Sequence, residues 1–113
     1  MFKQMQSRGK DVDGITYISL NNLKKMKSMG LKLKLILILK NGISCFIFND
    51  NSYYIASGFA VGYGGEGPHG LYNAIKLWYP EIYTDFYESG IMQLTQFENY
   101  IWIPKLGVFK KGI

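Results

Sequence analysis

The chain has one cysteine, one histidine and, among thirteen basic residues, one arginine. Each scarcity excludes something. A lone Cys45 cannot form an internal disulfide, and its position inside an apolar run reads as a buried free thiol. The chain therefore fits a reducing cytoplasm. One histidine and one buried cysteine cannot assemble a metal site without several carboxylates, so no metal and no cofactor is expected. A nucleophile–histidine pair would need Ser57, Ser89 or Cys45 beside His69, and nothing in the spacing provides it. An enzyme is the least supported reading. The shortage of arginine counts against a nucleic-acid binder, because arginine supplies the bidentate base contacts. The longest apolar run, Leu35 to Leu39, falls far short of the ~20 residues of a membrane helix. The start, "MFKQMQSRGKD", has no apolar core of a secretory signal.

What is present begins with aromatics, nine Tyr and seven Phe in 113 residues. Such a surplus marks a half-buried sheet or a sticky surface, and we expect a homodimer or larger assembly. The length fits a single domain over residues 1–113. Charge is uneven. Residues 1–40 carry +7, residues 41–104 carry −5, and the tail 105–113 carries +3. A basic amino-terminal segment (1–30) and a basic tail around a core (31–104) suit a small anionic partner.

Along the chain, "DGITYISL" alternates as a short strand would, but Ser19 can also cap a helix over 20–29 that Gly30 stops. "LKLKLILILKNGISCFIF" (31–48) is the clearest element. Leu31, Leu33, Leu35, Leu37 and Leu39 share one face, and Asn41-Gly42 is a two-residue hairpin turn into a strand from Ile43 to Phe48. "YYIASGFAV" (53–61) reads as a third strand broken at Gly58. After a glycine-rich loop, Leu71, Ile75 and Trp78 form one helical stripe, ended by Pro80. Pro80 starts a second helix, "PEIYTDFYES", with Ile82, Phe86 and Tyr83 inward. Residues 91–109 return as extended chain, with Pro104 closing the Trp102 strand. The fold class is α+β, an antiparallel β-meander with two short helices packed on one face.

The loop "GYGGEGPHG" (62–70) holds five glycines. Gly62 to Gly67 spell G-x-G-x-x-G, but hairpin-linked strands and a short chain exclude a dinucleotide fold. No Gly-Lys-Ser/Thr follows, so it is not a Walker loop. Pro68 as first helical residue would leave the amides of His69, Gly70 and Leu71 free at the positive helix end. Glycines in front admit a ligand to the backbone. These features predict an anion cradle made by Gly64, Gly65, Gly67, His69 and Gly70. Tyr63 would stack on a base and terminal lysines would neutralise charge. Glu66 can cap the helix itself or grip a ribose hydroxyl. Lys76 follows His69 by two turns near the same helix face and is counted among the ligand-binding residues, although it also reads as solvated.

The stretch from Gly62 to Pro104 resembles a family of small uncharacterised domains of bacteria, plasmids and phages that carry a G-Y-G-G-x-G-P loop. Gly62, Tyr63, Gly64, Gly65, Gly67 and Pro68 match the loop, Leu71 and Ile75 the helix, and Trp102 the closing strand, over about residues 59–104. The resemblance implies continuity of fold and a mobile-element setting, and it brings no activity. By analogy of size and setting, it is similar to phage proteins that sequester nucleotide immune signals. The reading is thus a non-enzymatic protein that sequesters a small phosphorylated, nucleotide-type ligand at the glycine loop. Inhibition of a host factor through protein interaction is the alternative, and nucleic-acid binding comes third.

Overall fold

The computed structural model describes residues 4–112. Lys3, counted above in the basic amino-terminal segment, lies outside them. The architecture is α+β. In chain order the elements are β1 (Gln6–Lys10), α1 (Thr16–Ser28), β2 (Leu33–Leu39), β3 (Ile43–Phe48), β4 (Ser52–Ala56), α2 (Glu66–Trp78), α3 (Thr84–Ser89), β5 (Tyr100–Ile103) and β6 (Val108–Lys111). The strands form one six-stranded sheet in the order β1-β4-β3-β2-β5-β6. Strands β2, β3 and β4 make the expected antiparallel meander.

The β2–β3 connection is three residues long, since Leu39 pairs with Ile43. Asn41 and Gly42 both take positive φ (67° and 81°), which is why these two residue types stand there. The inward face of β2 differs from the simple alternation. The register slips between Leu33 and Leu35, where Lys34 is the extra residue of a bulge. Leu33 therefore points inward, but beyond the bulge Ile36 and Ile38 are buried and Leu35 and Leu37 face out.

The helices cover one face of the sheet. The core beneath them joins Leu23 and Met26 of α1 and Leu71, Ala74 and Ile75 of α2 to Ile36, Ile38, Phe46 and Phe48. Each of the larger side chains among them, fully buried, contributes roughly 1.5–3 kcal/mol. Trp102 is buried at the β5 end, with the rings of Tyr79, Phe86 and Phe109 at 5.6, 6.1 and 6.3 Å.

Several local expectations change. Helix α1 begins at Thr16, so "DGITYISL" is not a strand, and Ser19 lies inside the helix instead of capping it. The third strand stops at Ala56. The second helix forms only from Thr84, because nothing buries Pro80–Glu81, and Tyr83 is exposed rather than inward. Residues 91–99 are not extended: a short 3-10 turn spans Ile91–Gln93, and the strand starts at Tyr100. Cys45 sits half-buried on the sheet face away from the helices, and burial pushes its thiol pKa up. Strand β1, running parallel to β4, has no counterpart in the sequence reading. Its anchor is Arg8, which donates to Asp50 Oδ2 and to Ser52 Oγ, both at 2.7 Å. The single arginine is thereby bound into the fold.

Candidate functional site

The glycine loop lies between Val61 and α2, at the carboxyl-terminal side of the meander. Helix α2 starts at Glu66, two residues before Pro68. Its first four amide positions are thus Gly65, Glu66, Gly67 and Pro68, and the His69 amide is already an intrahelical donor. The Gly67 N–H donates to the Tyr63 hydroxyl at 3.1 Å. Tyr63 therefore folds back over the helix start, and the side chain expected to stack on a ligand also caps the helix. Glu66 is exposed in the first turn, where a carboxylate suits the dipole.

Most of the glycines answer to close packing. A Cβ on Gly67 would stand 2.2 Å from the Ala60 carbonyl oxygen, and one on Gly70 would stand 2.2 Å from Thr16 Cγ2. On Gly65 it would enter the Tyr63 ring. Gly62 has φ +96°, and a Cβ on it would stand 3.0 Å from the Gln96 backbone nitrogen. Gly64 differs: a Cβ there would meet only the tip of Met92, at 3.8 Å.

In front of Gly64 opens a cavity of about 390 Å³, lined by Gly62, Tyr63 and Gly64 on one side and by Met92–Phe97 on the other. Tyr63 (53 % exposed) and Phe97 (73 %) present aromatic surface there. Gln93 and Gln96 supply amide groups. The far wall is fixed, because Ile91 and Leu94 are buried and the Thr95 amide donates to the Tyr100 hydroxyl at 3.1 Å. Among the described residues, no charged side chain lines this cavity. The contribution of Met92–Phe97 was not foreseen, since that segment was read as a strand.

The other expected site residues lie elsewhere. Glu66, His69 and Gly70 border a shallow groove of about 210 Å³ against Thr16, Tyr17 and Leu20 of α1. The exposed His69 ring also stands 6.2 Å from Tyr72 and 5.6 Å from Tyr87. Lys76 places its ammonium 5.2 Å from the Tyr72 ring centre, a cation–π contact away from the loop. The structure thus brings Tyr63 and Gly64 together in one cavity and puts His69, Gly70 and Lys76 outside it. A larger cavity, about 510 Å³ with Lys34 and Lys105 in its wall, lies beside Tyr79 at the opposite end of α2. Those lysines cannot serve the glycine loop.

A second polar cluster went unanticipated. Asp11 accepts from the Ser57 amide (2.9 Å), from the Ser57 and Tyr54 hydroxyls (2.5 Å each) and from Ser19 Oγ (2.9 Å). Burial raises its pKa, but these hydrogen bonds outweigh burial and hold it below the ordinary value. Burial, then the Asp11 hydrogen bond, pushes the Tyr54 phenol up to about 12. Four donors fill the roughly four acceptor sites of a carboxylate, leaving none for a substrate. Ser19 Oγ also accepts the Gly58 N–H at 3.0 Å, and Thr16 Oγ1 donates to the Gly58 carbonyl at 2.8 Å. The cluster locks the start of α1 to the end of β4. Its role is structural.

Among the described residues, no group of three or more His, Cys, Asp or Glu is placed to hold a metal, and no helix is long and apolar enough to cross a membrane. No family model, no curated protein and no solved structure matches the chain. The class defined so far is an α+β domain with one-sided helical cover and an aromatic-rimmed cavity at its glycine loop.

Proposed function

We propose that this protein is a non-enzymatic binding domain that sequesters a small nucleotide-type ligand, with the base held in the cavity between Gly62–Gly64 and Met92–Phe97. The observation that carries the reading is Gly64, the one loop glycine whose backbone faces this cavity with space before it. A planar heteroaromatic ring fits such a place. Tyr63 and Phe97 offer stacking surface, and Gln93 and Gln96 offer the paired donors and acceptors that read a base edge. With no cation in the wall, the phosphorylated part of the ligand lies toward solvent, and the net charge of +5 supplies long-range attraction. This moves the ligand from the expected helix-end cradle to the neighbouring cavity. Sequestration without turnover is the role a phage-encoded counter-defence protein would need.

The test is a calorimetric titration of the folded protein with cyclic nucleotides and ADP-ribose derivatives. Saturable binding that Phe97→Ala weakens at least about tenfold supports the proposal. Silence across the panel, with the protein folded, removes it.

A further inference from the structure

The sheet face away from the helices has no covering element among the described residues. Its composition follows from the strand register. Lys10 pairs with Ile55, Ile55 with Cys45, Cys45 with Leu37, Leu37 with Ile101, and Ile101 with Lys110. Paired residues point to the same side. One straight row therefore crosses all six strands as cation, four apolar side chains, cation. A neighbouring row runs through Tyr53, Ile47 and Leu35. The apolar members of both rows are only half-buried, because no described element packs on them.

We infer that this face is the interface of a homodimer, with a second copy of the chain packed sheet to sheet on it. The occupant is argued from area, edges and charge. Six strands at ~4.8 Å and five residues at ~3.3 Å give a face of roughly 29 by 17 Å, about 480 Å² per copy before side-chain relief. Two copies then bury about 960 Å² before side-chain relief is added, which brings the face to the roughly 1,000 Å² that a specific interface needs. An exposed face of that size, apolar at its centre, falls in the roughly 300–600 Å² range of a monomer's largest patch, which is often functional. The sheet edges are closed to strand addition. Edge strand β1 carries Arg8, Lys10 and a register break, and edge strand β6 carries Lys110 and Lys111. Face-to-face packing is what remains. The apolar centre is self-complementary under a two-fold axis, and it holds no charge for a nucleic acid or an acidic peptide to meet.

Charge makes the test specific. Each copy carries +5, so self-association is opposed by like charge and strengthens as salt screens it. Binding of an anionic membrane or nucleic acid would weaken with salt instead. The experiment is analytical ultracentrifugation of the full chain at about 0.05 and 0.5 M salt. The expected result is a species of twice 12.9 kDa, with a dissociation constant below about 0.1 mM that falls at high salt. Leu37→Lys buries an uncompensated charge in each copy and should weaken association at least about 100-fold while far-UV circular dichroism stays native. Should that variant fail to fold, Ile101→Lys makes the same test from β5, and Cys45 labelling that slows as wild-type concentration rises reads the interface without a mutation. A wild-type chain that is monomeric at both salts overturns the inference. So does a dimer that a folded Leu37→Lys or Ile101→Lys variant leaves intact. None of these readouts depends on the ligand proposed above.

Discussion

At Gly58 a Cβ would stand 2.6 Å from the Ile15 carbonyl oxygen and 2.7 Å from Ser19 Oγ; at Gly64 the nearest obstacle is a methionine tip at 3.8 Å. Both glycines lie where the chain leaves the sheet toward a helix. The first is sealed by a helix end and by the Asp11 cluster. The second opens onto a cavity whose aromatic rim is exposed. Glycine richness thus has two causes in one short stretch. Backbone approach within the fold explains Gly58 and Gly67, and access from outside is left for Gly64 alone.

The comparison breaks if sealed and open glycines respond alike to a methyl group. Gly58→Ala and Gly67→Ala push a methyl into backbone oxygens that cannot rotate away, and each should cost about 3 kcal/mol in chemical denaturation. Next comes Asp11→Asn, which removes the charge that four donors face and turns one of the two acceptor oxygens into a donor, and it should cost about 1–3 kcal/mol. The same carboxylate sets a pH dependence. Its folded pKa is depressed, so its contribution is complete above the unfolded value near ~3.9 and is lost as pH falls through the lower folded value. Urea midpoints of the wild-type protein should fall across that acid window more steeply than those of Asp11→Asn. A smaller effect is expected at Gly65, where an added methyl displaces the half-exposed Tyr63 ring and breaks its bond with the Gly67 amide. Gly65→Ala should cost about 1 kcal/mol and raise the quenching of tyrosine fluorescence by iodide. Gly64→Ala comes last for stability, within about 0.5 kcal/mol, yet it narrows the cavity and should weaken nucleotide binding.

The readable parts of the sequence are those whose cause is local. Alternation around Asn41-Gly42 gives the β2–β3 hairpin, and the stripe Leu71, Ile75, Trp78 gives α2. The inward face of β2 was not readable, because the bulge at Lys34 is set by pairing with β3 and leaves the leucine alternation intact. Strand β1, "QSRGK", has no apolar residue to announce it and depends on Arg8 reaching Asp50 and Ser52, more than forty positions away. The start of α2 is displaced for a similar reason. Gly65-Glu66-Gly67 has poor helix propensity, yet packing of Gly67 and Gly70 against Ala60, Phe59 and Thr16 carries the helix back to Glu66. For the candidate site, the glycine loop was legible from composition. Its opposite wall was not, since Gly62 meets Gln96 only through the tertiary fold.

The most direct test of the cavity as the binding site is an amide chemical-shift titration of the labelled wild-type protein with the tightest ligand of the nucleotide panel. Saturating shifts are predicted at Gly62, Tyr63, Gly64, Gln93, Gln96 and Phe97. Shifts confined to His69, Gly70 and the α1–α2 groove, or none on a folded protein, would contradict it.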